Sequence, residues 1–158
     1  MAQLFFQTGR DFVAWSSGAA RYITGHNSGS GKLVVAVNCR LGNLEATDIA
    51  LCDTGAEWSV IGGDTAGLLE EYFGPPTGSL SMLTRHGTYE GKLRNLDVHL
   101  LADPDMGTDV RVASTVLVIQ EWPGPTVLGY RGFLERLRFA LDPGVAPDQE
   151  IIYFGTVG

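Results

Sequence analysis

The segment Ile49-Ala-Leu-Cys-Asp53-Thr-Gly-Ala-Glu-Trp-Ser-Val-Ile61 is the most informative part of this sequence. An apolar run leads into Asp53-Thr54-Gly55-Ala56, and a second apolar run follows it. We expect a buried strand that ends at Asp53, a tight turn at Gly55 and a hydrogen bond from the Thr54 hydroxyl across the loop. A carboxylate held in this way is rigid and partly desolvated, which prepares it for proton transfer. The tripeptide alone is weak evidence, because an ordinary turn after a strand explains it equally well.

The flanking sequence has the pattern of a β-rich domain. Apolar and polar residues alternate along 33–40, which is typical of a strand, and a turn at 41–44 joins it to a strand over 45–52. Residues Arg85-His86-Gly87 are predicted to form the tip of a hairpin. Many short strands with one or two brief helices indicate an all-β, barrel-like domain. The other predicted strands are 80–84, 88–93, 97–101, 110–119, 138–141 and 151–154, and the predicted helices are 64–73, opened by an Asp64 cap, and 130–137.

The chain is short enough for one domain. Its 158 residues contain neither an internal repeat nor an obvious linker, so we expect a single domain over 1–158. Residues 1–31 are expected to be an N-terminal extension of unassigned structure, and 142–158 a C-terminal tail or strand.

Composition and charge exclude several classes of partner. Acidic residues outnumber basic ones 18 to 11, giving a net charge of −7, so nucleic acid and anionic membrane surfaces are poor partners. The sequence contains no apolar run approaching the roughly 20 residues of a membrane span, and its N-terminus lacks the basic region of a secretory signal. In the predicted hairpin Cys39 lies opposite about residue 46 and Cys52 opposite about residue 33, which excludes a disulfide. We therefore expect buried thiols in a reducing, cytoplasmic compartment.

Other possible sites fail on their spacing. The stretch ending Gly31-Lys32 lacks the first glycine and the final hydroxyl residue of a phosphate-binding loop, and a strand is expected after it instead of a helix. Residues 103–109 carry three aspartates, but a calcium loop needs glycine at Thr108 and glutamate at Ser114. The three histidines have no metal-ligand spacing. We expect neither a metal nor a cofactor.

With its flanks, the Asp53 segment resembles the active-site loop of the retropepsins, the single-lobed aspartic proteases of retroviruses and their cellular and bacterial relatives. The resemblance covers about 32–141 and follows the order of the family's elements. The matching parts are the strands at 32–40 and 45–51, a flap hairpin at 78–93, a strand at 113–119, the second motif Val127-Leu128-Gly129 and a C-terminal helix at 130–137.

The resemblance implies a fold, a set of site residues and an activity. The implied fold is a closed acid-protease barrel, all-β, with one short C-terminal helix. The implied activity is hydrolysis of peptide bonds in a peptide or protein substrate. The implied catalytic residues are Asp53, Thr54 and Gly55; the substrate-binding residues are Ala56, Glu57, Arg85, His86, Gly87, Thr88 and Tyr89; and Val127, Leu128, Gly129 and Arg131 support the loop.

Two departures from the family's pattern lie beside the two motifs. Glu57 stands where retroviral enzymes usually have aspartate, and Arg131 lies one place later than the usual arginine because Tyr130 follows Gly129. We expect Glu57 and Arg131 to form an ion pair that braces the loop.

Aspartic proteolysis needs two carboxylates that share one proton. This sequence has one Asp-Thr-Gly, so the resemblance implies a homodimer with the site on its two-fold axis. The terminal strands 138–141 and 151–154 are then expected to pair across that axis. The main alternative is a catalytically silent, retropepsin-like dimerisation or peptide-binding module, and a more distant one is a small-ligand β-barrel.

Overall fold

A computed structural model describes residues 3–24, 35–84, 87–146 and 149–157. The predicted glycine-rich loop at 25–31, the first residues of the strand predicted from 33, and Arg85 and His86 at the hairpin tip lie outside the described residues. Within the described part, no helix is both long and apolar enough to cross a membrane.

The described chain is mostly β-structure, with one short α-helix. This agrees with the all-β expectation. The elements are β1 (Phe5–Thr8), β2 (Asp11–Ala14), β3 (Gly18–Arg21), β4 (Ile23–Thr24), β5 (Val35–Leu41), β6 (Asp48–Cys52), β7 (Ser59–Gly62), α1 (Gly63–Leu68), β8 (Gly78–Thr84), β9 (Gly87–Leu100), β10 (Val110–Ile119), β11 (Val127–Leu128), the 3₁₀ turn η1 (Leu134–Arg136), β12 (Leu137–Asp142) and β13 (Ile151–Thr156).

Within the described residues, the main sheet has eight strands in the order β4-β5-β6-β11-β7-β10-β9-β8, and β5 also pairs with β9. The two-residue strand β11 lies between β6 and β7, parallel to β6 and antiparallel to β7. Its register places Leu128 beside Cys52, the last residue of β6. The second motif therefore lies directly against the point where the chain enters the Asp53 loop.

The predicted hairpins are present with adjusted bounds. The strand over 110–119 is confirmed, whereas 88–93 and 97–101 belong to one continuous strand, β9. Cys39 lies opposite Asp48 instead of residue 46, because the loop between β5 and β6 spans 42–47 and is longer than predicted. In this loop the Gly42 N–H donates to the Asp97 carbonyl of β9 at 2.8 Å. Both cysteines are free, as expected, with Cys39 buried and Cys52 partly buried.

The helix predicted over 130–137 is wrong. The segment contains only the 3₁₀ turn η1, and Leu137 already begins β12. The Arg131 N–H donates to the Glu57 carbonyl at 2.7 Å, and Gly132 has a φ of +75°, so this backbone cannot enter an α-helix. The helix predicted over 64–73 is present but short, and Gly62 occupies its N-cap position, not Asp64.

The terminal strands pair within the chain, which corrects the expectation that they need a partner molecule. β12 and β13 form an antiparallel pair from Leu137↔Thr156 to Asp142↔Ile151, and β3 pairs with the other edge of β13. The partner strand that sequence reasoning missed comes from residues 18–21, inside the supposed extension. Among the described residues, no strand pairs with the outer edge of β12.

Two apolar clusters fill the interior. The larger one contains Val98, Phe133 and Phe154 and lies at the centre of the fold. The smaller one is called here the cleft cluster, and it joins residues from the hairpin, from the Asp53 loop and from the segment before β11. Its buried members are Val60, Leu117, Ile119 and Val127, and the partly buried side chains against them are Ala56, Trp58, Leu80, Met82, Tyr89, Leu93 and Trp122.

Candidate active site

Asp53 begins a tight turn at the end of β6. Its N–H donates to the Leu128 carbonyl at 3.0 Å, which fixes the start of the turn against β11. The Gly55 N–H donates to Asp53 Oδ1 at 2.8 Å, and the Ala56 N–H donates to the Asp53 carbonyl at 3.1 Å. The backbone thus holds the carboxylate in one orientation, as expected of a group prepared for proton transfer.

The Asp53 carboxylate faces solvent in the single chain. Asp53, Thr54 and Gly55 are all exposed, so the prediction of partial desolvation is wrong for this chain. The physical reason is that no described segment of the same chain covers this turn. The Thr54 hydroxyl also makes no hydrogen bond within the described part of the chain, contrary to expectation. Both groups are therefore available to another molecule.

The second motif lies tightly against the residues that follow Asp53. Gly129 is buried, and its N–H donates to the Ser59 Oγ at 2.9 Å. A Cβ at Gly129 would overlap the Trp58 carbonyl group, so only glycine fits there. Val127 and Leu128 are buried beside Leu51 and Cys52. The structure thus brings the two sequence motifs together.

The expected contact between Glu57 and Arg131 is present. Arg131 Nε lies 3.4 Å from Glu57 Oε1, and both side chains are more than half exposed. An exposed pair of this kind contributes at most about 1 kcal/mol. Two backbone hydrogen bonds accompany it, from Tyr130 to the Ala56 carbonyl at 2.9 Å and from Arg131 to the Glu57 carbonyl at 2.7 Å. The main chain therefore does most of the bracing.

The hairpin predicted in this part of the sequence is formed by β8 and β9. Thr84 pairs with Gly87 and Met82 with Tyr89, and Gly87 has a φ of +124°, which favours glycine. Arg85 and His86 lie outside the described residues, and Thr88 is exposed. The sequence left the direction of Tyr89 open; in the structure it packs on the cleft cluster, which also contains Ala56 of the Asp53 loop.

Trp122 is a component of this region that sequence reasoning missed. Its ring meets the Tyr89 ring edge-on, with centroids 5.5 Å apart and planes at 77°. The indole Nε1–H donates to the Pro125 carbonyl at 2.8 Å, and Gly124 lies against the ring. The sequence did offer a sign of this contact. Trp122-Pro-Gly-Pro125 comes just before the second motif, and its two prolines restrict the backbone of the loop that carries the tryptophan.

Other features of the molecule do not compete with Asp53 for this role. A groove of about 810 Å³ lies against the hairpin, with Thr88, Glu90 and Glu121 in its wall, but no residue of 53–57 lines it. Within the described residues, no three His, Cys, Asp or Glu side chains are placed to hold a metal ion. The Asp53 carboxylate is exposed where its loop meets the second motif.

Comparisons with known proteins give likenesses to solved structures. No family model and no curated protein matches the sequence. The chain is similar to the crystal structure of a retropepsin-like aspartic protease from Rickettsia conorii, with 18% sequence identity, a TM-score of 0.49, and coverage of 87% of this chain and 90% of that one.

Proposed function

We propose that the protein is an aspartic endopeptidase that acts as a homodimer of single-domain chains. One observation carries the proposal. The Asp53-Thr54-Gly55 turn is held against the second motif by the hydrogen bond from Asp53 to the Leu128 carbonyl at 3.0 Å, and it presents an oriented carboxylate to solvent. The Gly55 hydrogen bond to Oδ1 is a contact that aspartate often makes in turns, so the specific feature is the link between this turn and the second motif.

The exposure of Asp53 supports a site that is completed by a second copy. The sequence has a single Asp-Thr-Gly, and the reaction needs two carboxylates close enough to share one proton. A two-fold axis beside the turn places Asp53 and Thr54 of each copy next to their counterparts. In the dimer each carboxylate is removed from bulk water, which supplies the desolvation that the single chain lacks.

The reaction that we assign to the pair is hydrolysis of a peptide bond by one water molecule. The ionised Asp53 takes a proton from water while the water oxygen bonds to the peptide carbonyl carbon. The protonated Asp53 of the other copy gives its proton to the carbonyl oxygen, and a neutral tetrahedral intermediate forms. Its collapse breaks the C–N bond and transfers a proton to the leaving nitrogen, giving an acid and an amine.

The substrate is expected to lie between the hairpin and the Asp53 loop. The cleft cluster joins the two, because Ala56 of the loop and Tyr89 of the hairpin both pack against its buried members. The tip residues Arg85, His86, Gly87 and Thr88 are proposed to close over an extended peptide and to bond to its backbone. The pairing of β5 with β9 supports the proposal that the main sheet is a closed barrel, which gives these walls a rigid base.

The outer edge of β12 is the part of the terminal sheet that we propose for pairing with the second copy. Pairing through this edge replaces the expectation that both terminal strands pair between chains. β13 has no open edge for such pairing, because it lies between β12 and β3. An open edge of six residues in an otherwise folded sheet is a natural site for strand pairing.

The variant Asp53→Asn tests the proposed function. It retains the size and the hydrogen-bonding oxygen of the side chain but removes its proton chemistry. We expect the wild type to cleave members of a peptide library between pH 3 and 8, and the variant to cleave none while sedimenting as the wild type does. Equal cleavage by both proteins would overturn the assignment. Absence of cleavage by the wild type, together with retained dimerisation, would favour the catalytically silent module.

A further inference from the structure

The first two strands form a small hairpin that belongs to neither of the larger sheets. β1 and β2 pair antiparallel, with Phe5 opposite Ala14 and Gln7 opposite Phe12, and the described residues provide no further strand for this sheet. Directly opposed residues share a face, and so do residues two apart on one strand, such as Phe5 and Gln7. Phe5 and Phe12 therefore lie on the same side of the hairpin. An isolated two-stranded hairpin is at best marginally stable in water.

The hairpin exposes an unusual amount of apolar surface. Phe12 is 69% exposed and Phe5 54% exposed, and Val13 on the opposite face is 44% exposed. Exposed apolar residues are ordinary when scattered singly, but a cluster of large ones on one short element indicates an interaction surface. Within the described chain, nothing covers these rings.

The base of the hairpin is fixed to the terminal sheet. The N–H groups of Trp15 and Ser16 donate to the Leu4 carbonyl, and the Leu4 N–H donates to the Ser16 hydroxyl at 2.9 Å. Ser16 is buried, and the Ser17 N–H donates to the Phe154 carbonyl at 2.9 Å. The hairpin therefore projects from the end of β13, where Thr156 lies beside Leu137 at the start of β12.

We propose that β1 and β2 form an arm whose Phe5 and Phe12 face packs on a second copy of this chain. The inference rests on the proposed function, which requires a second copy for its catalytic pair. In a symmetric dimer each subunit gives one arm and receives one, so the contact is made twice.

The contact area that a stable dimer needs favours a second copy of this chain as the molecule that covers the arm. A stable interface buries about 800 Å² on each partner. The six-residue edge of β12 is about 20 Å long and supplies a narrow contact. Each aromatic ring that is buried adds on the order of 150–250 Å². The arm begins on the β3 side of β13, across the sheet from the open edge of β12, so it adds contact area of its own.

Sedimentation equilibrium of the Asp53→Asn protein tests the arm without requiring catalysis. In this background we compare three proteins. The first has no further change, the second carries Phe5→Ser and Phe12→Ser, and the third carries Leu68→Ser. Leu68 is a matched control, because it is 69% exposed, like Phe12, but lies on α1. We expect the double variant to weaken dimerisation at least tenfold and Leu68→Ser to leave it unchanged. An unchanged dissociation constant in the folded double variant would overturn the arm.

Footprinting with hydroxyl radicals keeps the proposal testable if the double variant fails to fold. In the Asp53→Asn protein with an intact arm, labelling of Phe5 and Phe12 should fall as the protein concentration rises through the dissociation constant, while labelling of Leu68 stays constant. Labelling that does not change with concentration would overturn the proposal.

The two proposals fail in different ways. If the arm residues control dimerisation but the wild type cleaves no peptide, the proposed function fails and the arm stands. If the wild type cleaves peptides and its dimer is insensitive to the arm, the arm fails and the function stands. A protein that is monomeric at all concentrations would overturn both.

Discussion

Arg131 and Glu57 are joined both by a backbone hydrogen bond of 2.7 Å and by a side-chain ion pair of 3.4 Å. The backbone bond links Arg131, which follows the second motif, to the loop that follows Asp53. Since the guanidinium and the carboxylate are mostly solvated, the ion pair adds little to the link. The two motifs are therefore held together chiefly by the main chain.

Removal of the Arg131 side chain should have a small effect on stability. For Arg131→Ala we expect the free energy of unfolding in urea to fall by less than about 1 kcal/mol, because the backbone hydrogen bond remains. Arg111→Ala is the matched control, as it removes an exposed ion pair with Asp97 at 3.0 Å on strands β10 and β9. A loss of several kcal/mol specific to Arg131→Ala would show that the side chain carries the brace.

A methyl group at Gly129 should be much more damaging. The Cβ of Gly129→Ala overlaps the Trp58 carbonyl group, so the motifs must separate, and we expect a loss of about 2–3 kcal/mol of stability. Gly67→Ala is the control, because it lies in α1 with open space around its Cβ. That change should be neutral or stabilise by up to about 1 kcal/mol. Equal unfolding midpoints for the two variants would contradict the close packing described for Gly129.

The Tyr89–Trp122 contact should control how the hairpin sits over the cleft. Trp122→Ala removes both the ring contact with Tyr89 and the hydrogen bond to Pro125, and we expect kcat/KM on a cleaved peptide to fall about tenfold. Trp122→Phe retains an aromatic ring and should recover part of the loss. If the alanine variant were folded and equally active, the contact would be irrelevant to substrate binding.

The cysteines should make the fold sensitive to alkali. Burial raises the pKa of Cys52 to about 12 and raises that of Cys39 further, with Asp48 adding to the effect on Cys39. The unfolded thiols lose their protons near pH 9, whereas the folded ones retain them, so stability is unaffected below pH 9 and falls above it. The urea midpoint of Cys52→Ala should fall less steeply from pH 9 to 10.5 than that of the wild type. Parallel declines would contradict the role assigned to Cys52.

The sequence predicted the parts of the fold that depend on local pattern. The alternation over 110–119 marks β10 correctly, and the turn after Cys52 is where the Asp-Thr-Gly signature places it. In these two cases a few neighbouring residues carry the signal. The Glu57–Arg131 contact was also predicted, but from the resemblance to the retropepsin motifs, since the two residues are far apart in the sequence.

The errors came from contacts that are distant in the sequence. The helical spacing of Phe133, Leu134 and Leu137 predicted a helix, but the pairing of Arg131 with Glu57 takes the backbone elsewhere. The strand β3 carries three small residues, Gly18, Ala19 and Ala20, and has no visible pattern; β13 recruits it from across the chain. The exposure of Asp53 depends on what covers the loop, which no local pattern encodes.

Mixing subunits tests most directly whether each active site takes one Asp53 from each of two chains. Wild-type and Asp53→Asn proteins are equilibrated in equal amounts at a fixed total concentration above the dissociation constant, and peptide cleavage is measured. Random pairing leaves about one quarter of the dimers with Asp53 in both chains, so we expect about one quarter of the wild-type rate. A rate of about one half would contradict it, since each chain would then carry a complete site of its own.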